Sequence, residues 1–500
     1  MHPLFWGVML FLPIPLIQYA AGMIPFVGSA WMSTAYIFGF LLSLVIGARW
    51  ERIAPGQVGV FIFIAVSIAA IISVGLEMHQ WLRFDTLEIW VMRIGESGRP
   101  FANMGQPNQL ATLLLWSLLA CAWALESGTV RPSIVILVAL YVLFGVALTE
   151  SRTAWLGLAF LMVAAWKWKN LSSHKFMPWV VTGLALFFVL VVLNLQLLND
   201  VLLLDRSTSF VTRTAGEKRL SIYLLFAENA IQKPFFGYGW NQSRLAHLAS
   251  RSDEPFLDDL YDYSHNLFLD LILWSGIPLG LLASFGILYF VFRIFKKIND
   301  LKGALLALFV ALIGIHAMLE LPLYYAYFLL PTGLVLGALC HRYDFGGGIS
   351  IHRRLIISLI SLSFLFLVLV VKDYFEIESN FQAFQFERAR IGTLPKREAP
   401  DVIVITQLRD FLKFARMDPR KGVGDVELQW MIDVTNTYPS PANMLNLIEF
   451  LVLNDKLNEA QKWMMRAQRV SSENQYKIIK TIWENKAKTN PVYNSVLWVK

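Results

Sequence analysis

Charge is what this 500-residue chain has least of: Asp, Glu, Lys and Arg make up 16% of it, against roughly 25% in an average soluble domain. A water-soluble fold of this size cannot cover its surface with so few charges. Cysteine is scarce as well. Cys121 and Cys340 both lie in apolar stretches without CxxC spacing, so neither a disulfide framework nor a zinc site is implied. No glycine-rich phosphate loop occurs, because the run Gly346-Gly347-Gly348 lacks the Lys-Ser/Thr that a P-loop needs. The same composition excludes disorder and collagen. What remains is apolar: 56% hydrophobic and 14% aromatic residues, with a mean hydropathy of +0.53. The sequence describes a multi-span membrane protein.

A helix needs about 20 mostly apolar residues to cross the hydrocarbon core. Such runs lie near 4–21, 30–48, 57–76, 108–125, 132–148, 153–166, 178–198, 266–292, 303–321, 324–340 and 354–371. The expected fold is therefore all-α and polytopic, with about eleven transmembrane helices of which the sixth is short. The first run lacks a basic leader and is followed closely by another, so it reads as an uncleaved span rather than a signal peptide. One set of alternate connections carries thirteen Lys and Arg, whereas the short connections on the other side carry four, Arg83, Arg93, Arg99 and Arg152. The positive-inside rule then puts the N-terminus in the cytoplasm and, for an odd number of spans, the C-terminus outside. The net charge of +7 arises largely in these short loops, so no nucleic-acid partner is expected.

Three pieces face outward in this topology: a loop at 77–107, a large loop at 199–265 and a tail. Residues 1–372 read as a transmembrane catalytic domain that includes the large loop, and 373–500 as a C-terminal helical domain. From Lys372 onward the tail holds 19 of the 43 basic and 16 of the 36 acidic residues. Its apolar positions recur at helical spacing: Met444, Leu447, Ile448 and Leu451, then Ala460, Met464 and Ala467. The second set has the pattern of a tetratricopeptide pair without its usual Trp, Gly and Pro, and a generic helical hairpin fits nearly as well.

The cytoplasmic loops are too short to hold an enzyme, so chemistry is expected where polar residues gather at the outer ends of spans. In Glu150-Ser151-Arg152-Thr153, ionisable groups stand at membrane depth. Arg152 offers a planar fork of donors suited to phosphate oxygens, or it snorkels to the headgroups. Lys218-Arg219 opens an apolar-periodic segment, Leu220 to Ile231, that Pro234 and the glycines of Phe236-Gly237-Tyr238-Gly239-Trp240 bring to a turn. An interfacial re-entrant segment and a plain aromatic belt both fit it. Tyr263-Ser264-His265-Asn266 brings an imidazole that accepts a proton near neutral pH. His316, beneath Glu320, reads as a helix-packing residue. The acidic group Asp253, Glu254, Asp258, Asp259 and Asp262 matches no EF-hand loop and reads as a solvated loop. Two arginines for a phosphate-bearing group and one histidine as proton acceptor suit transfer from a lipid diphosphate to a hydroxyl. The residues alone do not say which group moves.

The motifs Gly105-Gln106-Pro107-Asn108, Ser151-Arg152-Thr153, Arg219 followed by Pro234 to Trp240, Ser264-His265-Asn266-Leu267, and Glu320-Leu321-Pro322 with its tyrosines appear in an order and spacing that resemble the O-antigen ligase/polymerase superfamily. Within it, the chain is most similar to the bacterial protein O-oligosaccharyltransferases. That resemblance implies an inner-membrane enzyme that moves an oligosaccharide from undecaprenyl diphosphate to Ser or Thr of periplasmic proteins, pilin-like ones among them. It implies Arg152 and Arg219 as diphosphate-binding residues, His265 as the catalytic histidine, and Gln106 and Asn108 as supporting amides. It also implies a tyrosine near Glu320, favouring Tyr325 over Tyr324 and Tyr327, and no metal or cofactor. Lys218 is a further candidate for the diphosphate. The helical tail favours protein acceptors. Ligation to lipid A-core, polymerisation of repeat units, and transport of lipid-linked sugars remain as other readings. The last of these calls for a mid-bilayer site in repeated halves, for which the sequence gives no convincing sign.

Overall fold

The structure, a computed structural model, describes all residues except 1–2, 85, 88, 95–97, 205–218, 251–259, 346–351, 392–396 and 497–500. Among the described residues the fold is helical without strands. Seven helical segments are long and apolar enough to cross a membrane. They are Pro3–Ala20, which bends at Pro13 into α1 (Pro3–Phe11) and α2 (Ile14–Ala20); α3 (Val27–Ile53); α4 (Gln57–Trp81); α5 (Pro107–Ser127); α8 (Met177–Val201); α12 (Ile277–Lys297); and α15 (Arg353–Ala389). Four other expected spans form helices of 16 or 17 residues: α6 (Pro132–Leu148), α7 (Arg152–Lys167), α13 (Leu301–Ala317) and α14 (Ala326–Arg342). At 1.5 Å per residue these reach about 24–26 Å, short of a core of about 30 Å.

The bundle centres on one face of α5. Asn108, Thr112 and Trp116 follow one another at intervals of four residues, so they line up along the helix. The Trp116 ring stacks on Phe309 at 3.7 Å between centroids and meets Phe328 edge-on at 5.3 Å. Its indole N–H donates to the Phe309 carbonyl at 2.9 Å. Helices α3 and α14 meet backbone to backbone. The spacing Gly333-x-x-x-Gly337 on α14 leaves no room for side chains there: a Cβ at Gly337 would stand 2.1 Å from the Leu44 carbonyl oxygen.

One expected element is corrected. The apolar run 266–292 is not a single span but two helices, α11 (Leu267–Ser275) and α12, that fold against each other at Gly276. Gly276 sits at φ +85°, and four residues on Gly280 lies against the Ile272 backbone. Hydropathy is continuous through the bend, but Gly276 and Pro278 break the helix. The outer connection packs on this corner. Helix α9 (Arg219–Gln232) ends before Pro234, whose carbonyl accepts from Ile277 N–H at 2.7 Å, and Tyr238 N–H donates to the Leu273 carbonyl at 2.7 Å. The Gln18 side chain clamps the far side, donating to the Trp274 carbonyl at 2.7 Å and accepting from Trp240 N–H at 2.7 Å.

The tail is helical, as its periodicity predicts. Helix α15 runs on to Ala389, about 27 Å past the expected end of the last apolar run. After α16 (Thr406–Ala415) and α17 (Asp425–Thr437), helices α18 (Pro441–Leu453) and α19 (Leu457–Val470) pair as a hairpin, followed by α20 (Glu473–Thr489). Met444, Leu447, Ile448, Leu451, Ala460, Met464 and Ala467 are all buried in its core. The tail is docked by polar bonds. Trp31 donates to the Val404 carbonyl at 2.7 Å, Arg469 to the Ser250 carbonyl at 2.9 Å, and Arg244, paired with Asp262, to the Thr437 carbonyl at 3.1 Å.

Gly276→Ala places a side chain at positive φ and within 2.2 Å of the Phe235 carbonyl oxygen. It is expected to destabilise the protein by at least about 1–3 kcal/mol. Gly286→Ala on α12 meets open space and should leave stability almost unchanged. Melting of the two detergent-solubilised variants checks this, and equal melting temperatures would refute the corner's role.

Candidate functional site

Short polar motifs at helix starts build the site, because a helix start exposes backbone N–H groups and draws in capping side chains. Gln106 is the N-cap of α5, with Pro107 at the first helical position and Asn108 on the first turn. Ser151 is the N-cap of α7 and leaves Arg152 as its first residue; Glu150 before it takes positive φ, +47°. Asn266 caps α11, accepting from Phe268 N–H at 3.1 Å and Leu269 N–H at 3.2 Å. His265, between this cap and Ser264, sits at φ +60°, a conformation that needs support from its surroundings. The support is present. Asp270 accepts from Ser264 N–H at 2.9 Å, the Ser264 hydroxyl donates to the Asn266 carbonyl at 3.0 Å, and Tyr223 donates to the His265 carbonyl at 3.4 Å.

Asn108 joins three of the motifs. Its amide donates to the Glu320 carboxylate, and its carbonyl accepts from the Ser151 hydroxyl at 2.6 Å. Arg99 reaches the same carbonyl at 3.5 Å while donating to the Thr149 carbonyl at 2.9 Å. Glu320 lies within electrostatic reach of His265, which brings in a fourth motif, and so does Arg219, at the start of α9. Gln106 hydrogen-bonds the Tyr263 hydroxyl. The Tyr263 ring stands edge-on to His265 at 4.6 Å, with Tyr261 at 6.1 Å.

The electrostatics follow from this layout. Burial pushes the His265 imidazole below its ordinary basicity and Arg219 adds to that, while Glu320 and the Leu319 backbone oppose them; the net shift is downward. The ring is therefore neutral at pH 7, and its Nδ1 is buried without a hydrogen-bond partner. Burial alone would push Glu320 up, but hydrogen bonds from His316 and Asn108 hold it below the usual carboxylate range. Burial and the Glu320 charge push the Tyr263 phenol up to about 12, so it stays a neutral hydroxyl.

Most of the residues expected from sequence meet here. His265, Arg219, Glu320, Asn108 and Gln106 form one connected group, and Arg152 follows Ser151, whose hydroxyl bonds Asn108. Lys218 lies outside the described residues, as do Asp253, Glu254, Asp258, Asp259 and the glycine run at 346–348. The three tyrosines separate. Tyr327 donates to Gln109 at 2.6 Å, the Tyr324 hydroxyl is buried within reach of Asp270, and Tyr325 is exposed with its ring 5.3 Å from that of Tyr327. Three participants were not singled out from sequence. Arg99 figured only in the charge count, Tyr263 only as a flanking residue, and His316 as packing. His316 in fact bonds both Thr112 and Glu320. A His and a Glu four residues apart at the end of an apolar helix is the signal that was there to read.

Three parts of the chain match known families. Residues 137–284, which hold Arg152, Arg219 and His265, match the O-antigen ligase family. Residues 100–125 match the protein glycosylation ligase family, and 304–485 the C-terminal part of a virulence factor membrane-bound polymerase family. These matches make the chain similar to the O-antigen ligase family and to protein glycosylation ligases. Two Acinetobacter baylyi proteins are similar to this chain. A general O-oligosaccharyltransferase is 28% identical over 459 residues, covering 90% of this chain and 80% of the relative. A ComP-specific O-oligosaccharyltransferase is 27% identical over 331 residues, covering 64% of this chain; the match spans 58% of that relative's length. No solved structure matches.

Arg219→Gln removes a charge that lowers the basicity of His265. The imidazole should then titrate at higher pH than in the wild type, whose midpoint should lie below the ordinary value of about 6.5. Histidine-labelled NMR, with His265→Asn to assign the signal, measures both midpoints. An unmoved midpoint would place Arg219 away from the ring.

Proposed function

We propose that this membrane protein is a protein O-oligosaccharyltransferase. It moves an oligosaccharide en bloc from a lipid diphosphate, undecaprenyl diphosphate, to Ser or Thr hydroxyls of proteins outside the bacterial inner membrane, a pilin-like protein among them. The N-terminus lies in the cytoplasm, and the site and C-terminal domain lie in the periplasm. The observation that carries the reading is a neutral, half-buried imidazole within electrostatic reach of both a guanidinium and a carboxylate. That arrangement suits a proton acceptor beside an anion-binding group.

The acceptor hydroxyl gives its proton to His265 as its oxygen bonds to the anomeric carbon of the first sugar. The bond from that carbon to the diphosphate oxygen breaks, and polyprenyl diphosphate leaves with the electron pair. General-base help of this kind contributes about 10²–10⁴-fold. Arg219 and Arg152, with Arg99 close by, meet the charge that grows on the leaving diphosphate. Gln106 orients Tyr263 beside the base, and exposed Tyr325 is available to the sugar or the acceptor. The outer side of α9 supports a lipid donor. Leu220, Leu224 and Ile231 are exposed along one stripe, continued by Phe235 and Phe236. This gives an isoprenoid tail an apolar wall that ends at Arg219.

Polymerisation of lipid-linked repeat units is the second reading, favoured by the match of residues 304–485 to the polymerase family. Purified enzyme with lipid-linked glycan and two acceptors, a pilin-like protein and lipid A-core, separates the outcomes by mass spectrometry. Glycan on the protein is the expected result; glycan on lipid A-core alone, or elongated lipid-linked glycan alone, would overturn it. His265→Ala is expected to lower transfer by at least about 10²-fold without removing the protein from the membrane. Arg152→Ala and Arg219→Ala should each lower kcat/KM for the lipid donor by about 10- to 100-fold, as loss of a hydrogen bond to a charged group does.

A further inference from the structure

The site extends one layer into the bundle, to a side chain that substrate does not reach. His316 is fully buried, 0% exposed, on the last turn of α13, and Glu320 follows it by four residues. Its Nε2 is 3.2 Å from Glu320 Oε2, and its Nδ1 is 2.8 Å from Thr112 Oγ1. The Thr112 hydroxyl donates to the Asn108 carbonyl at 3.2 Å and holds the ring on its Nδ1 side. Nε2 faces a carboxylate that can only accept, so it carries a proton and donates to it. Asn108 takes Oε1. With both oxygens held by donors from α5 and α13, the carboxylate has one orientation and remains the acceptor in both bonds.

Four side chains face this carboxylate or bond to it: His316 from α13, Asn108 from α5, and His265 and Tyr263 from the segment before α11. Arg99 bonds Asn108, and Arg219 lies within electrostatic reach of His265. We propose that His316, backed by Thr112, is a positioning residue for the transfer reaction. It fixes Glu320 as a carboxylate facing His265, and Glu320 is the counter-charge for the imidazolium that forms when His265 takes the acceptor's proton. The inference rests on the reading of His265 as the base. The carboxylate acts as the third member of a triad does, by stabilising the cation and not by accepting its proton.

The test is a set of variants assayed for glycan transfer across pH with the purified full-length enzyme. Glu320→Gln and His316→Phe should each lower kcat by about 10- to 100-fold with little change in KM for the lipid donor. The Glu320 charge raises the basicity of His265, so losing or misaiming it makes the ring harder to protonate. The acid limb of the rate profile, where protonation of His265 removes the base, should move to lower pH in both variants. Their double variant should be no worse than the poorer single, because each acts through the other. A glutamine amide nitrogen can stand where Nε2 stands and an asparagine one cannot, so His316→Gln should recover most of the loss and His316→Asn should not. Multiplying losses in the double variant, glutamine no better than asparagine, or an unmoved acid limb in His316→Phe would each overturn the proposal while leaving transfer itself intact. A wild-type enzyme that transfers no glycan would overturn both this inference and the function on which it rests.

Discussion

A carboxylate set among apolar helices dictates much of this architecture. Glu320 is 13% exposed, and a buried charge without partners is too costly for a fold to keep. Its donors must come from other chain segments. Asn108 supplies one from the start of α5, 212 positions away in sequence, and His316 supplies another from the turn below. Asn108 is drawn in with the Ser151 cap of α7, so satisfying one carboxylate brings three helix ends to one place. Below them, the Trp116–Phe309 stack holds the same two helices, α5 and α13, together through apolar contact. The polar layer sets where the helix ends meet, and the apolar layer keeps them there.

The second constraint is conformational. His265 and Glu150 both adopt positive φ, which costs non-glycine residues of order 1–3 kcal/mol when the surroundings do not compensate. Here each strained residue sits two positions before a helix, directly ahead of the residue that caps it. In Ser264-His265-Asn266, serine closes the turn, asparagine caps α11 and histidine is left to project. The spacing follows from that division of labour. The corner at Gly276 supports the arrangement from below, because α11 is pinned to α12 there and to the turn at Gly237 through Tyr238.

Much of the fold was legible because the membrane makes hydropathy a strong signal. The apolar runs became helices near their expected limits, and the tail's spaced methionines and leucines became its core. The run at 266–292 was misread because composition stays apolar through a bend made by backbone alone; only Gly276 and Pro278 mark it. The site was legible in part for a related reason. Polar residues at the outer ends of apolar runs have few places to go, so Arg152, Arg219, His265 and Glu320 could be picked out one by one. Their pairings could not, since nothing local ties Asn108 to a residue some two hundred positions later. His316 illustrates the limit. Alone inside an apolar helix it reads as packing, and only Thr112 on one side and Glu320 on the other give it a place in the chemistry.

The opposing charges around His265 also bear on the order of events. Arg219 lowers the basicity of the ring and Glu320 raises it, and a substrate that meets one of them shifts the balance. In the transfer we propose, a diphosphate beside Arg219 cancels much of that positive charge, and the pull from Glu320 then acts with less opposition. The imidazole becomes a stronger base when the donor is seated than when the site is empty. An empty site keeps its ring neutral and weakly basic, so an acceptor hydroxyl that arrives first meets a poor base. A seated donor meets the same ring with its proton affinity restored, next to the bond that is to break. In this reading, selectivity for donor before acceptor needs no moving part: a guanidinium and a carboxylate of opposing influence within reach of one imidazole are sufficient.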